Sequence, residues 1–339
     1  VILITDNDNA EIAYKCNEIV KTKSYFAFVK AINKYILDNN LYNKFFIKGH
    51  VADFDKYSEE LAKDNLDKLC KDAGLSIEFI ANFAKEFNKE QNAITVFQEK
   101  EISGETSLEL LNLNFLTGKP GKTGSGILAL KELCNSQGIT DMGVRPTLIP
   151  GAVKPDDDAF NKLGKIWGID NLSNISECLC EKITGGKFKN FMILGEDPIG
   201  TAINPKEIRN WFKSSDFMVV SDFFITETAE IADMILPASF GFESGGTYTN
   251  TMKYIQRFEK EMNPKSELTL VEQLAELCKV FEIKQSADVN EILDEIMQLL
   301  SESPVQELKF NYCNKEESVR YFLYACDAVT ERVYKRFDF

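Results

Sequence analysis

Strand-forming and helix-forming segments alternate along the 339 residues, predicting an α/β protein with mainly parallel, doubly wound sheets. Three observations support this. Apolar runs that end in or carry acids recur at Met192-Ile-Leu-Gly-Glu-Asp-Pro198, Phe217-Met-Val-Val-Ser-Asp222 and Ile231-Ala-Asp-Met-Ile-Leu-Pro237, as where buried parallel strands give way to a loop holding a polar ligand. The connections between these runs are short. The first half shows the same alternation, with amphipathic helices between apolar runs.

Taken in order, Val1-Ile-Leu-Ile-Thr5 reads as a core strand, which gives the expectation of a chain that begins part-way through a domain. Ser24 can cap a helix whose apolar residues Tyr25, Phe28, Val29, Ile32, Ile36 and Leu37 follow helical spacing. Gly74-Leu-Ser76 opens a second helix carrying Ile77, Ile80, Phe83 and Phe87, and Ala93 to Phe97 is a strand. A helix from Ser107 to Leu116 ends at the glycine-rich loop Thr117 to Gly126. Residues Asn135 to Pro155, rich in Gly and Pro, suit a crossing or a site loop. Strands follow at Phe191 to Leu194, Phe217 to Val220 and Met234 to Leu236, separated by helices at Lys206 to Phe212 and Thr226 to Ala232. Gly245 to Asn250 turns towards a strand at Tyr254 to Phe258, and Leu268 to Phe281 and Val289 to Leu300 are amphipathic helices. No motif is legible beyond Glu302.

A net charge of -14 opposes binding to nucleic acid or anionic lipid, and no apolar run spans a bilayer, so direct membrane contact is not expected. The eight cysteines include no C-x2-C pair, and only Cys178 and Cys180 are close, so they read as reduced thiols of a cytoplasmic protein. Gly121-Lys-Thr123 lacks the upstream glycine of a phosphate loop, since Leu116 stands there. The sole histidine, His50, reads as part of a polar loop without a neighbouring ligand set.

Gly195-Glu-Asp-Pro198 alone reads more readily as a tight turn than as a site. With Asp222 and Asp233 added, carboxylates at adjacent strand ends can accept the N–H pair of a guanine edge or a ribose hydroxyl pair, while backbone N–H groups near Thr201 hold a diphosphate. A free-standing nucleotide-binding domain is the competing reading, but no G-x-G-x-x-G follows a predicted strand.

The run Cys134-Asn-Ser-Gln-Gly-Ile-Thr-Asp-Met-Gly-Val-Arg-Pro146, together with Gly195 to Pro198, Val220-Ser-Asp222, Thr226 to Pro237 and Gly246 to Asn250, resembles the molybdopterin oxidoreductase family. The match extends to formate dehydrogenase large subunits and to the large iron–sulfur subunit of NADH-quinone oxidoreductase, over roughly residues 1 to 285, and includes Asn39 to Ile47. The resemblance implies two interlocked Rossmann-like domains, with parts at 1–133 and 134–250, and a small β element with C-terminal helices at 251–339. It also implies a molybdopterin guanine dinucleotide lined by Gly195, Glu196, Asp197, Thr201, Ser221, Asp222 and Asp233, with Asn135 and Gln137 near the pterin. Partners would be iron–sulfur and NADH-linked electron-transfer subunits.

The departures from the family pattern are specific. Lys131-Glu-Leu-Cys-Asn135 stands where formate dehydrogenases carry a catalytic arginine, and lysine lacks the planar fork that orients a carboxylate. Ser221 replaces a usual glutamine, Asp8 stands in place of a phosphate-holding arginine, and Tyr25 interrupts a turn that normally follows. The iron–sulfur segment and the metal ligand have no counterpart here, so this chain alone is expected not to catalyse. Two cases are in play. One is a cofactor-poor scaffold like the NADH-quinone oxidoreductase subunit, towards which the substitutions point; the other is a molybdenum or tungsten enzyme whose metal ligand and cluster lie outside this chain.

Overall fold

The computed structural model describes residues 1–7, 9–131, 133–144, 148–153, 156–169, 186–301 and 308–312. The described residues form two compact units, the first comprising residues 1–131 with 308–312, the second residues 133–301.

In the first unit β1 (Ile2–Thr5) pairs in parallel with β2 (Glu18–Lys21), and β3 (Ile94–Gln98) with β4 (Gly126–Leu130). Most of its mass is helical: α1 (Tyr25–Asp38), α2 (Lys44–His50), α3 (Phe54–Ala62), α4 (Leu66–Ala73), α5 (Ile77–Lys89) and α6 (Gly104–Thr117). The hydroxyl of Ser24 accepts from Ala27 N, so α1 starts where its cap residue predicts. It ends at Asn39–Asn40, and Asn40 takes a left-handed φ of 53°, which asparagine tolerates better than most residues. Ala31, Ile32 and Ile36 of α1 are fully enclosed with Leu61, Ile80 and Leu116 in the unit's apolar core.

Helices α2 to α4 are not legible from periodicity because each has only two turns or so; Asn43 and Asn65 cap α2 and α4 by accepting from Phe46 N and Lys68 N. His50 is therefore the last residue of a helix, packed on Phe46, rather than part of a polar loop. Leu308–Tyr312 returns to this unit. Ala52 N donates to Leu308 O and Phe310 N to Ala52 O, and the Phe310 ring is buried in the core.

The second unit contains α7 (Ser136–Asp141), α8 (Asp157–Trp167), β5 (Asn190–Leu194), α9 (Pro205–Phe212), β6 (Phe217–Asp222), β7 (Met234–Pro237), a single turn α10 (Gly241–Ser244), β8 (Gly246–Thr249), β9 (Ile255–Phe258), α11 (Leu270–Val280) and α12 (Val289–Ser301). Strands β5, β6 and β7 lie side by side in that order, all parallel, with Leu194 opposite Ser221 and Asp222 opposite Pro237. One face packs Ile199, Ile208, Phe212, Met218 and Val220. On the other face Met192 and Leu194 of β5 remain 43% and 40% exposed while Ser221 of β6 is enclosed, so that face is only partly covered.

The segment expected as an irregular crossing includes α7 and an antiparallel bridge between Ile149 and Val153. The expected helix at Thr226 to Ala232 is a 3-10 turn, Ala229–Ile231. Gly246–Thr249 is itself a strand, paired antiparallel with β9. Cys178 and Cys180 lie outside the described residues, as does everything from 313 onward. Among the described residues no helix is long and apolar enough to cross a membrane.

Candidate functional site

The carboxyl ends of β5 and β6 carry most of the predicted site. Gly195 N donates to Ser221 O at 2.7 Å, extending the ladder by one rung, and Gly195 then takes a left-handed φ of 68° that turns the chain out of the sheet. Glu196 follows on the surface. Asp197 is a hub. Its Oδ1 accepts from Thr228 Oγ1 at 2.6 Å, Gly200 N at 3.0 Å and Thr228 N at 3.1 Å, while its carbonyl accepts from Thr201 Oγ1 and Thr201 N at 2.6 and 3.0 Å. Thr228 Oγ1 also accepts from Ile199 N at 3.0 Å. Gly200 is required here, since a Cβ on it would sit 2.0 Å from Asp197 Oδ2.

The amides expected to cradle a phosphate have acceptors within their own loop. The N–H groups of Ile199, Gly200 and Thr201, those nearest the expected diphosphate, are all engaged by Asp197 or Thr228. A donor already satisfied within the loop exchanges one bond for another on binding an anion, and much of the helix-terminus advantage is lost.

At the end of β6, Asp222 Oδ1 accepts from Phe223 N at 2.6 Å and Phe224 N at 3.3 Å. Ser221 is fully enclosed, and its hydroxyl finds no partner among the described residues, so it faces no open crevice. Asp233 stands at the opposite end of the sheet. It precedes β7, with Oδ2 accepting from Met218 N at 2.8 Å and its own N donating to Met218 O. Met218 and Asp222 are four residues apart on β6, roughly 13 Å of strand. The fold therefore gathers Gly195, Glu196, Asp197, Thr201 and Asp222 at one edge and leaves Asp233 away from it. Of the three acidic runs only those of β5 and β6 carry their acids at the carboxyl end of a strand, because Asp233 begins its strand.

Asn135 and Gln137 lie at α7. Asn135 Oδ1 accepts from Thr249 N at 2.9 Å, tying α7 to β8, and Gln137 Nε2 donates to Asp141 Oδ1 at 2.7 Å along the same helix. Gly138 leaves room for this, since a Cβ there would fall 2.3 Å from Asn135 Oδ1.

The substituted positions in the first unit have partners of their own. Lys131 Nζ meets both carboxylate oxygens of Glu99, at 3.2 and 3.1 Å, across the ends of β3 and β4. Tyr25 OH donates to Asp6 Oδ1 at 2.9 Å, and burial raises its phenol above the ordinary value. Leu133, where the second unit begins, is 54% exposed. Asp8 lies outside the described residues. Sequence reading misses Glu99 and Thr228 as partners of these groups. Thr228 lies inside the run Thr226 to Pro237, but nothing local signals that its hydroxyl meets Asp197, 31 residues away.

A family model described as molybdopterin oxidoreductase matches residues 2–269. The chain belongs to that family. It is 32% identical over 283 residues to the F420-dependent formate dehydrogenase subunit alpha of Methanocaldococcus jannaschii, covering 80% of this chain and 42% of that protein. It is 28% identical to the F420-dependent formate dehydrogenase 2 subunit alpha of Methanococcus maripaludis, again over 80% of this chain and 42% of the relative. Acetylene hydratase from Pelobacter acetylenicus has the same fold, with a TM-score of 0.55 at 15% identity, over 88% of this chain and 43% of that one. The chain thus spans less than half the length of these proteins.

Membership of the molybdopterin oxidoreductases implies a molybdopterin cofactor. Several of the residues expected to line a guanine dinucleotide hold partners within the chain, while Glu196 stays exposed at the end of β5. The three amides are engaged, Asp197 and Asp233 already accept backbone N–H groups, and Ser221 is closed off.

Proposed function

We propose that this chain is part of the large subunit of an electron-transfer oxidoreductase complex, in which it serves as a cofactor-poor scaffold. The observation that carries this reading is the closed loop at Asp197. A carboxylate that accepts three hydrogen bonds from its own chain, beside three occupied amides, acts as a structural knot. The Glu99 pair supports the same reading, because a lysine already neutralised by a carboxylate offers little to an anionic substrate. Its partners would be iron–sulfur and NADH-linked subunits on the cytoplasmic side, with clusters bound outside this chain.

The second reading is a competent molybdenum or tungsten enzyme of the formate dehydrogenase kind, favoured by the names of its relatives. Elemental analysis of the protein purified with its native partners separates the two. The scaffold reading expects molybdenum and tungsten far below one atom per chain, and near-stoichiometric metal overturns it.

A further inference from the structure

The helical core of the first unit encloses an acid whose two oxygens are treated very unequally. Glu109, on α6, is fully enclosed. Its Oε2 accepts from Asn33 Nδ2 at 2.9 Å, Tyr57 OH at 2.9 Å and Asn112 Nδ2 at 3.4 Å. Its Oε1 accepts from none of the described residues, and the Oδ1 of the neighbouring Asn33 is equally without a donor. The Asn33 amide cannot be reversed to cure this. Nδ2 also donates to Glu109 O at 2.9 Å, so exchanging nitrogen and oxygen would set one acceptor against two others.

An ionised carboxylate is acceptor-only at both oxygens, and a buried one left half unsatisfied is costly. Two orphaned acceptors on side chains already joined by an N–H···O bond lack a single hydrogen between them. We propose that Glu109 is held as a neutral carboxylic acid whose Oε1–H donates to Asn33 Oδ1, closing an acid–amide pair that secures the returning segment Leu308–Tyr312.

The surrounding charges agree with a neutral Glu109. Lys30, from α1, is enclosed but has its counter-ion in Asp64 at 3.1 Å, with Nζ 4.6 Å from the Tyr312 ring centre. Tyr312 OH donates to the same Asp64 carboxylate at 3.3 Å. Tyr57, from α3, faces Glu109 as a neutral phenol, pushed well above its ordinary value chiefly by burial. Burial likewise raises the Glu109 carboxyl, outweighing the hydrogen bonds from Asn33 and Tyr57 and the charge of Lys30. The pair reaches the returning segment through Asn112, which donates to Asn311 O at 2.7 Å, and through Tyr57, whose ring stacks on Phe310 at 4.9 Å.

Infrared spectroscopy of the full chain with carboxyl-labelled glutamate, beside the variant Glu109→Gln, tests this. A labelled protonated-carboxyl C=O band at neutral pH, absent from Glu109→Gln, is expected, because surface glutamates are ionised there. The glutamine Nε2 replaces the acid proton as donor to Asn33 Oδ1, so the variant should melt no lower than the parent at neutral pH. A group whose folded pKa is raised stabilises below its unfolded value and loses that contribution as pH rises through the folded pKa. The melting advantage of Glu109→Gln should therefore widen on going from mildly acidic to alkaline buffer. Absence of the band, with Glu109→Gln melting below the parent at neutral pH, would mean an ionised Glu109 satisfied by a buried water and would overturn the proposal. If the variant does not fold, the labelled band of the parent decides alone.

Discussion

Asp197 lends itself to two readings that a stability measurement can separate. As a ligand-facing carboxylate it would be nearly dispensable for folding, whereas as the hub of Gly200 and Thr228 it holds three donors that would otherwise be left without an acceptor. Asp197→Ala is expected to lower the unfolding free energy by about 2–4 kcal/mol in urea titrations. A variant as stable as the parent would remove the main support for the closed loop. The contrast with Glu196, one residue earlier and exposed, shows the limit of residue patterns: two adjacent acids in one motif have different environments. Ser221 makes the same point, since its place in a β-strand is legible while its complete enclosure, with a hydroxyl that finds no partner among the described residues, depends on what packs over it.

At the scale of elements, termini with a side-chain cap next to a long apolar stripe are readable. Ser24 and Ser76 cap as their sequences suggest, because the signal lies within four residues of itself. The two-turn helices are not, having too few residues for periodicity to stand out. Helix α11 shows how such a cap responds to pH. Thr269 and Glu272 form a reciprocal box, with Thr269 N donating to Glu272 Oε2 at 2.6 Å and Glu272 N to Thr269 Oγ1 at 3.2 Å. The bond from Thr269 N holds the Glu272 carboxyl below the usual range. Its contribution is therefore present above the ordinary carboxylate value and lost as pH falls through the lowered one. Glu272→Gln should cost about 0.3–1 kcal/mol at neutral pH and nothing in strong acid, measured by melting at both. An equal difference at the two pH values would show that the charge is not involved.

For the molecule as a whole, the most consequential contact is made by residues far apart in the chain. Phe310 packs edge-on to Phe54 and Phe115 and stacks on Tyr57, anchoring Leu308–Tyr312 in the core of the first unit. Phe310→Ala should destabilise the protein by about 3–5 kcal/mol and speed amide exchange at Ala52, whose N–H is bonded to Leu308 O. Unchanged exchange there would mean that the segment is held without its aromatic anchor.

Local chemistry was enough to establish the α/β class, the parallel strands at β5 to β7, the capped long helices and the family, because strand periodicity, caps and motif order are properties of neighbouring residues. Which carboxylates share an edge, which amides are spent within their own loop and where Leu308–Tyr312 packs were decided only by the tertiary structure. Asp233 differs from Asp222 by standing at the start of a strand rather than its end, and Glu109 differs from the other described acids by being enclosed with one oxygen that accepts from none of the described residues. Strand direction, register and burial arise from contacts between residues distant in sequence, and those contacts determine whether a side chain meets a ligand or its own backbone.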